Sequence, residues 1–376
     1  MFCNRVEIKN FRNSEHAEVE FTDGVNVLLG SNAQGKTNLL EAVYIACTAK
    51  SFRAANDSQL IRFGSDFASV SVDFTDSRKQ NISFSYEQGK RRKIEINKNK
   101  VTRLSEVIGR FKCVLFCPEH LSLIKGAPAV RRDFLDFAIS QLRPMYVVSL
   151  EKYEKILKER NKLLKNALDD RETYDKTIEF WNEQLCHEAA IISRMRESYI
   201  KQAEAFMVEC FLEMSKRTGR DNEIPTLKYR GSSPQESYED LTVTRDNYMR
   251  LLHERPEREI FAGTSLYGVH RDDIEICLGD KSAKDFASQG QQRSLALCLK
   301  LAEGEIIKKD SGEYPVFLLD DVLSELDEGR RKYLIDEIKD KQVIMTSCEP
   351  DAELYKSANV ITVKDGVYKT AEKVEE

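Results

Sequence analysis

The sequence contains no long hydrophobic run. No stretch approaches the roughly 18 consecutive apolar residues that cross a bilayer, which argues against an integral membrane protein. Residues 1–7 also lack the apolar core of a secretory signal peptide. We therefore expect a cytoplasmic protein that makes no membrane contact.

A paired arrangement of cysteines is missing as well. The nine cysteines are odd in number, scattered, and mostly set among apolar neighbours. Two places come nearest to a ligand pattern, Cys113-x-x-x-Cys117 and Cys186-His187, but no second ligand pair follows either at a suitable spacing. This usage is typical of reduced thiols in a cytosolic protein and argues against a zinc site.

An excess of positive charge is also absent, since 58 Lys and Arg stand against 63 Asp and Glu, a net charge of −5. Any nucleic-acid surface must therefore be local, because binding depends on how many cations meet phosphates and not on the sum over the chain. The 376 residues, 41% of them hydrophobic and 32% charged, suffice for two or more globular domains.

One short stretch carries the clearest chemistry. Residues 30–37 read Gly-Ser-Asn-Ala-Gln-Gly-Lys-Thr and fit the P-loop pattern G-x-x-x-x-G-K-[ST] at every fixed position. The apolar run 25–29 predicts a buried strand before it, and 38–46 predicts a helix after it, so that backbone N–H groups and the positive helix end face the phosphates. Lys36 is expected to reach the β and γ phosphates and Thr37 to hold Mg²⁺. The predicted nucleotide-binding residues are Gly30, Ser31, Asn32, Ala33, Gln34, Gly35, Lys36 and Thr37.

An acidic pair follows another apolar strand. Residues 316–319 are Val-Phe-Leu-Leu, and Asp320 and Asp321 come directly after them. Ionised carboxylates at the end of a buried strand are costly unless something uses them. We expect Asp320 to hold Mg²⁺ and Asp321 to polarise the attacking water. The structural alternative is that both acids cap the helix that follows.

A second candidate anion site lies at Ser288-Gln289-Gly290, which opens an apolar helix from 291 to 308. Alone, such a sequence is ordinary helix capping. It gains weight because it precedes the acidic strand by about 30 residues and because Ser324-Glu325-Leu326-Asp327 follows that strand. We therefore include Ser288, Gln289 and Gly290 among the nucleotide-binding residues.

The remaining pattern predicts an α/β fold that a helical insertion interrupts. Residues 1–125 alternate as half-buried strands, with 6–8 and 19–21 as a hairpin-like pair. Heptad-spaced apolar residues then predict two long helices, the second about 55 Å long, with Arg160 interrupting the first. The segment 218–236 predicts a loop, followed by a third helix. From 266 onward, strands and helices alternate again. We predict an ATPase head in 1–125 and 259–376, split around a helical arm domain in 126–258.

Taken in this order around a helical insertion, the P-loop, the Ser-x-Gly-Gln signature, the Leu-Leu-Asp-Asp strand and the Ser-x-Leu-Asp loop resemble the ABC-type ATPase head of SMC and Rad50 proteins. The resemblance covers essentially the whole chain. Further motifs narrow it to the RecF family of bacterial recombinational-repair proteins: Phe11-Arg12-Asn13, Cys117-Pro118-Glu119-His120-Leu121, Ile124-Lys125-Gly126, Arg131-Arg132-Asp133-Phe134-Leu135-Asp136 and Tyr267-Gly268-Val269-His270-Arg271-Asp272-Asp273.

The resemblance implies a mechanism. Two heads would sandwich two ATP molecules, each between one P-loop and the partner's signature, so that ATP and Mg²⁺ close a homodimer on DNA and hydrolysis opens it. A RecR-type mediator would then be recruited so that recombinase is loaded at single-stranded gaps, with a part in replication and SOS induction. By motif, Asp321, Lys36 and Ser288 are the catalytic residues, Ser288 contacts the partner's γ-phosphate, and Asp327 is an interface residue.

Two departures from the family pattern bear on the rate of hydrolysis. ABC heads usually carry Glu after the metal-binding Asp, and the shorter Asp321 suggests a weak, DNA-stimulated ATPase. Ser347-Cys348 stands where ABC heads place a switch histidine, so the resemblance does not carry that residue's role over.

Candidate DNA contacts form two basic clusters. Residues 90–103 hold seven cations and one acid, and Lys125, Arg131 and Arg132 form the second group. A solvated sheet edge, protected from aggregation by its charges, explains the first cluster equally well. Contacts to phosphates would give little base specificity. The candidate residues are Arg91, Arg92, Lys93, Lys98, Lys100, Arg131 and Arg132.

Other interpretations make different demands on the sequence. The ATPase subunit of a membrane transporter would need a coupling surface and a switch histidine, and the helical insertion argues against it. An SMC-like structural ATPase would need a much longer arm, and an ABC-linked nuclease an added metal-binding domain. A nucleotide-binding scaffold stays open as an alternative.

Overall fold

The computed structural model of the chain describes residues 1–218, 223–348 and 358–370. By packing, the chain divides into two compact units. The first unit comprises the described residues of Met1–Leu121, Glu209–Asn222 and Arg293–Glu376. The second unit comprises Ser122–Val208 and the described residues of Glu223–Gln292.

The first 121 residues form strands around one helix. Six of the eight strands make an antiparallel sheet in the order β2-β1-β4-β5-β6-β7. Val6 pairs with Val19, which confirms the predicted hairpin, and the meander that follows is likewise antiparallel. The elements are β1 (Phe2–Phe11), β2 (Ser14–Glu20), β3 (Val25–Leu29), α1 (Lys36–Thr48), β4 (Phe67–Thr75), β5 (Lys79–Glu87), β6 (Lys93–Ile96), β7 (Asn99–Val101) and β8 (Cys113–Phe116).

The second unit is mainly helical. Its long helix α5 has 48 residues, or about 72 Å at 1.5 Å per residue, and is longer than the heptad pattern predicted. The last turns of α5 belong to the first unit. The elements are α2 (Ser122–Lys125), α3 (Pro128–Leu142), α4 (Pro144–Asn166), α5 (Arg171–Thr218), β9 (Pro225–Arg230), α6 (Leu241–Glu254), α7 (Pro256–Ala262), β10 (Asp273–Leu278), β11 (Lys281–Ser282) and α8 (Ala283–Phe286).

Arg160, which interrupts the apolar heptads of α4, is buried and not solvent-exposed, with 1% of its surface accessible. Its guanidinium pairs with Glu259 at 2.5 Å and donates to Asn182 Oδ1 at 2.9 Å and to Ser265 Oγ at 2.7 Å. A buried charge is tolerated when it is paired and hydrogen-bonded. Arg160 therefore joins α4, α5 and α7 at a position where the heptad pattern alone predicts a break.

The loop predicted for 218–236 is wrong in part, because Pro225–Arg230 form strand β9; residues 219–222 lie outside the described residues. β9 pairs antiparallel with β10 over six residue pairs. The strand therefore depends on this pairing, which its own sequence pattern did not predict. By packing, residues 259–292 belong to the helical unit. The predicted boundaries of the head and the arm domain stay a prediction.

A second sheet of the first unit positions the candidate site. Its order is β15-β14-β3-β13-β12-β8, and every neighbouring pair is parallel except β14 with β15. The strands that carry the two main motifs, β3 and β12, thus flank β13, and their carboxyl ends meet at one edge. The elements not yet given are α9 (Gln289–Ser311), β12 (Val316–Leu319), α10 (Glu328–Ile338), β13 (Val343–Ser347), β14 (Asn359–Lys364) and β15 (Val367–Thr370).

Helix α1 lies between the two sheets of the first unit, because it contacts β1, β4 and β5 on one side and β8 and β13 on the other. Ten of its thirteen residues are buried, as expected for a helix that is apolar on nearly every face. Its buried Glu41 pairs with Arg12 through two bonds of 2.6 and 2.8 Å. Within the described ranges, no helix combines the length and apolar character needed to cross a membrane.

Candidate nucleotide-binding site

The P-loop joins β3 to α1, as the sequence predicts. Gly35 adopts φ 115° immediately before the helix, a conformation that side-chain-bearing residues rarely adopt. A Cβ on Gly30 would lie 2.3 Å from the carbonyl oxygen of Val363, so that only glycine fits there. The two fixed glycines of the motif are therefore required by backbone conformation and by close packing, respectively.

Lys36 lies inside the curve of this loop with 7% of its surface accessible. Its Nζ donates to the carbonyl oxygen of Gly30 and, at 3.0 Å, to that of Ser31, and it lies 3.3 Å from Cys348 Sγ. The ammonium is thus held by weak partners that a phosphate oxygen can replace. The predicted position of Lys36 at the phosphates fits this geometry.

Three side chains connect the P-loop with the acidic strand. Thr37 Oγ1 donates to Asp320 Oδ1 at 2.8 Å, and Thr346 Oγ1 donates to the same oxygen at 3.0 Å. The backbone N–H of Asp321 donates to Thr346 Oγ1 at 2.9 Å. The sequence analysis missed Thr346, because its role depends on the position of β13 between the two motif strands, which the sequence pattern does not show.

The predicted Mg²⁺ ligands fit the ion by their chemistry. Thr37 and Asp320 present hydroxyl and carboxylate oxygens, which Mg²⁺ prefers. Among the described residues, no group of three His, Cys, Asp or Glu side chains is arranged to hold a metal ion. Mg²⁺ at this place would therefore be completed by phosphate oxygens and water.

Burial raises the pKa of Asp320 above its ordinary value, and the hydrogen bonds from Thr37 and Thr346 oppose that shift. A raised pKa means that the folded chain resists ionisation of this carboxyl more than the unfolded chain does. The ionised form therefore destabilises the metal-free protein, increasingly as the pH rises from the ordinary value of about 3.9 through the raised one.

We expect Asp320→Asn to stabilise the metal-free protein at pH 7, because the amide oxygen keeps both accepted hydrogen bonds while the charge is removed. The unfolding temperature should rise by on the order of 2 °C, the shift that about 1 kcal/mol produces in a large domain. The gain should shrink as the pH falls towards 4, where the wild-type carboxyl protonates. Measuring the unfolding temperature of both proteins between pH 4 and pH 7 checks the predicted gain and its pH dependence.

Asp170→Asn serves as the control for this prediction. Hydrogen bonds from Thr173 lower the pKa of Asp170, so that the same substitution there removes a favourable charge and lowers the unfolding temperature at pH 7. An Asp320→Asn variant that unfolds below the wild type at pH 7 would contradict the inference that this carboxylate is held at a cost.

Asp321 is exposed and adopts a left-handed backbone with φ 51°. Ser324 Oγ donates to its carbonyl oxygen at 2.8 Å and lies 3.0 Å from its Oδ1. The Ser-x-Leu-Asp loop therefore holds the candidate catalytic acid directly. At the switch position, Cys348 Sγ lies 2.9 Å from Asn32 Oδ1, so this thiol contacts the P-loop.

The signature residues begin helix α9. Ser288 Oγ accepts from the N–H of Gln291 at 3.2 Å, and Gln291 Oε1 accepts from the N–H of Ser288 at 2.7 Å, a reciprocal cap. Ser288 and Gln289 are exposed. Both belong to the second unit, whereas the P-loop belongs to the first. Ser288 thus caps α9 with an exposed side chain, which a ligand can reach from the solvent.

Asp327 also has a local structural role. It caps α10 by accepting from the N–H of Arg330 at 3.0 Å, and its carboxylate pairs with the guanidinium of Arg330. The predicted interface role of Asp327 stays a prediction beside this cap.

The first basic cluster is divided by its contacts. Arg92 donates to the carbonyl oxygen of Ala49 at 2.5 Å, and Lys93 pairs with Glu87 at 2.9 Å. Among the seven cations of this cluster, all of which the structure describes, four are exposed and make no ion pair with a carboxylate: Arg91, Lys98, Lys100 and Arg103. Of the predicted DNA contacts in this cluster, Arg91, Lys98 and Lys100 are therefore available to an anionic partner.

In the second basic cluster, both arginines make contacts within the fold. Arg131 is buried, with 5% of its surface accessible, and binds Asp273 through two bonds of 2.6 and 2.9 Å. Arg132 donates to the carbonyl oxygen of Asp272 at 2.8 Å. The spacing of cations in the sequence does not reveal these distant acceptors. The burial and ion pair of Arg131 argue against a phosphate contact there, whereas the predicted contact of the half-buried Arg132 stays a prediction.

The chain is similar in sequence to known proteins over nearly its whole length. Residues 2–374 match the family model of the RecF/RecN/SMC N terminal domain. The DNA replication and repair protein RecF of Bacillus mycoides (strain KBAB4) is 38% identical over 373 residues, covering 97% of this chain and 98% of the relative. The protein of the same name from Bacillus cereus (strain B4264) has the same identity and coverage.

Solved structures give the same result. Structures of the recombination mediator protein RecF in the RecFOR pathway, as RecF-ATP and RecF-ATPrS, match with TM-scores of 0.91 and 0.90 at 31% identity, covering 99% of this chain and 98% of each. An Smc head bound to the C-winged helix domain of ScpA, 18% identical with a TM-score of 0.55, shares the fold. These matches confirm the predicted ABC-type head with its helical insertion, and the chain belongs to the RecF family.

Proposed function

We propose that this protein is an ATP-dependent DNA-binding protein of DNA replication and recombinational repair, which closes on DNA as an ATP-bound homodimer. The observation that carries the proposal is the hydrogen-bonded junction of Thr37, Asp320 and Thr346, which joins a complete P-loop to a carboxylate. Its relatives, named for replication and repair and solved with ATP, support the same conclusion.

In the proposed site, the N–H groups of residues 30–37 and the Lys36 ammonium bind the phosphates. Bound Mg²⁺, held by Thr37 and Asp320, would neutralise phosphate charge. Asp321, oriented by Ser324, would accept a proton from the attacking water. The short Asp321 side chain supports a weak ATPase, whose stimulation by DNA is part of the proposal.

The proposed dimer places the exposed cap at Ser288 against the nucleotide of the second copy. Ser288 caps a helix of 23 residues that begins at Gln289, and the positive end of the helix dipole there favours an anion. In this proposed arrangement, each nucleotide site would be completed by the signature residues of the partner, as the resemblance to ABC-type heads implies.

The proposed DNA contacts are the unpaired cations Arg91, Lys98 and Lys100, with Arg92 and Lys93 adding charge nearby. We expect the variant Arg91→Glu with Lys98→Glu to bind DNA at least about tenfold more weakly. The slope of log affinity against log salt should also decrease by about 2, one for each lost phosphate contact. Fluorescence anisotropy with gapped DNA and ATP over a salt series checks both expectations.

The control reverses two exposed lysines of helix α4, Lys155→Glu with Lys158→Glu, which changes the net charge by the same amount. This control should retain wild-type affinity and slope. Equal losses in the two variants would show that binding follows net charge alone, and unchanged binding of the first variant would remove the basic cluster from the DNA surface.

The proposed partners follow from the relatives. A RecR-type mediator would bind the DNA-bound dimer, which then helps to load recombinase at single-stranded gaps and so contributes to SOS induction. DNA as the partner supports a cytoplasmic location. The alternative is another SMC or Rad50-like structural ATPase or a nucleotide-binding scaffold. The scaffold predicts ATP binding without hydrolysis, whereas the main proposal predicts hydrolysis that Asp321→Asn slows. A steady-state phosphate-release assay separates the scaffold from the main proposal.

A further inference from the structure

Two backbone carbonyl groups within the P-loop, those of Gln34 and Gly35, accept hydrogen bonds from the hairpin formed by β14 and β15. At the turn between β14 and β15, the N–H of Gly366 donates to the carbonyl oxygen of Gln34 at 2.9 Å. The N–H of Asp365 donates to Gln34 Oε1 at 2.7 Å. The hydroxyl of Tyr368 donates to the carbonyl oxygen of Gly35 at 2.8 Å. We call these three donors, at Asp365, Gly366 and Tyr368, the clasp.

The clasp itself is held in place from a second direction. Ser14 Oγ, which is buried, donates to the carbonyl oxygen of Gly366 at 2.8 Å. A Cβ on Gly366 would lie 2.8 Å from the carbonyl oxygen of Asn13, and Gly366 has φ 76°. Asn13 Nδ2 also donates to the carbonyl oxygen of Gln34 at 3.2 Å. The turn therefore has one position, set by the β1–β2 connection.

These bonds act on the peptide planes that face the phosphates. A trans peptide unit is planar, so its carbonyl and its N–H point in opposite directions. The carbonyl of Gln34 shares its plane with the N–H of Gly35, and the carbonyl of Gly35 shares its plane with the N–H of Lys36. The carbonyl of Gly35 also accepts the first hydrogen bonds of α1, from the N–H groups of Asn38 at 3.0 Å and Leu39 at 3.4 Å. Tyr368 therefore holds this plane together with the helix, and Gly366 holds the plane of Gln34. The two N–H groups are thus held pointing the other way, as an anion-binding loop requires.

We propose that Asp365, Gly366 and Tyr368 are positioning residues of the nucleotide site, which preorganise the P-loop for a polyphosphate. This inference rests on the proposed function and assigns a role in it to the C-terminal hairpin. The clasp touches no phosphate. It acts by restricting the orientation of two peptide planes before the ligand binds. Without this restriction, part of the binding free energy would be spent on ordering the P-loop, and the affinity would be lower.

The test is Tyr368→Phe, which removes one hydroxyl and keeps the ring. We expect about fivefold weaker binding of ATP and of inorganic tripolyphosphate, the effect of one lost hydrogen bond. Binding is measured by titration calorimetry, and the unfolding temperature of the nucleotide-free protein should stay near that of the wild type. Tyr314→Phe is the control, because its hydroxyl also bonds within the first unit, to Glu305 Oε1 at 2.9 Å, and its affinity should be unchanged.

A second variant, Gly366→Ala, displaces the turn through the contact with Asn13 and should weaken tripolyphosphate binding by at least as much. Wild-type affinity in both variants would overturn the proposal. A lower unfolding temperature with unchanged affinity would also overturn it, because the clasp would then serve stability alone. Wild-type protein that binds neither ATP nor tripolyphosphate would overturn the proposed function itself, whereas wild-type binding with no effect of either variant refutes only the clasp.

Discussion

Lys36→Ala is expected to lower the affinity for ATP at least about 100-fold. A charge-assisted hydrogen bond to a phosphate contributes up to about 3 kcal/mol, which corresponds to this factor. Among the described residues, the Lys36 ammonium contacts two carbonyl oxygens and a thiol and no carboxylate, so that its truncation there leaves no buried carboxylate unpaired. Titration calorimetry with Mg-ATP measures the loss.

The control for this prediction is Lys341→Ala. Lys341 is equally buried, with 7% of its surface accessible, and pairs with Glu305. It precedes β13, at the sheet edge opposite to the P-loop, since β3 and β13 are parallel. We expect a loss of stability but wild-type affinity for ATP. Retained affinity in Lys36→Ala would place nucleotide binding elsewhere in the chain.

Ser288→Arg is expected to abolish dimerisation in ATP while leaving nucleotide binding by the single chain intact. Because Ser288 is exposed, the monomer can accommodate a large, charged side chain at this position. The substitution removes the capping hydrogen bond of α9, which costs about 1 kcal/mol. At a close-packed interface the same side chain clashes with the second copy. We expect dimer affinity to fall by at least about tenfold.

Light scattering coupled to size exclusion, with and without Mg-ATP, measures this effect. Ser77→Arg adds the same side chain at the exposed turn between β4 and β5 and should dimerise like the wild type. Equal ATP-dependent dimerisation of Ser288→Arg and the wild type would contradict the sandwich. A wild type that stays monomeric with ATP would favour a scaffold that needs DNA or a partner to assemble.

The candidate nucleotide site was predictable because short runs of consecutive residues supply its phosphate-binding and acidic groups. A glycine pattern between an apolar strand and a helix specifies the P-loop, and an apolar strand that ends in two acids specifies the second motif. Strand β12 has the predicted bounds, Val316–Leu319. Local pattern suffices where one continuous segment supplies both the fold and the chemistry.

Other features depend on residues far apart in the chain, which no local pattern relates. Arg131 appears in the sequence as part of a basic cluster, but Asp273, 142 positions away, buries it in an ion pair. β9 exists because β10 pairs with it. Thr346 joins the two motifs because β13 happens to lie between their strands.

By itself, the sequence determined the P-loop, the acidic strand, the signature and the helical insertion, since each follows from neighbouring residues and their periodicity. The tertiary structure alone decided which cations stay free, which threonine joins Thr37 to Asp320, and that the hairpin at Gly366 holds the P-loop. These outcomes depend on the hydrogen bonds and burial of residues far apart in the chain, such as Tyr368 and Gly35, which are 333 positions apart. Such contacts arise only when the sheet order brings distant strands together.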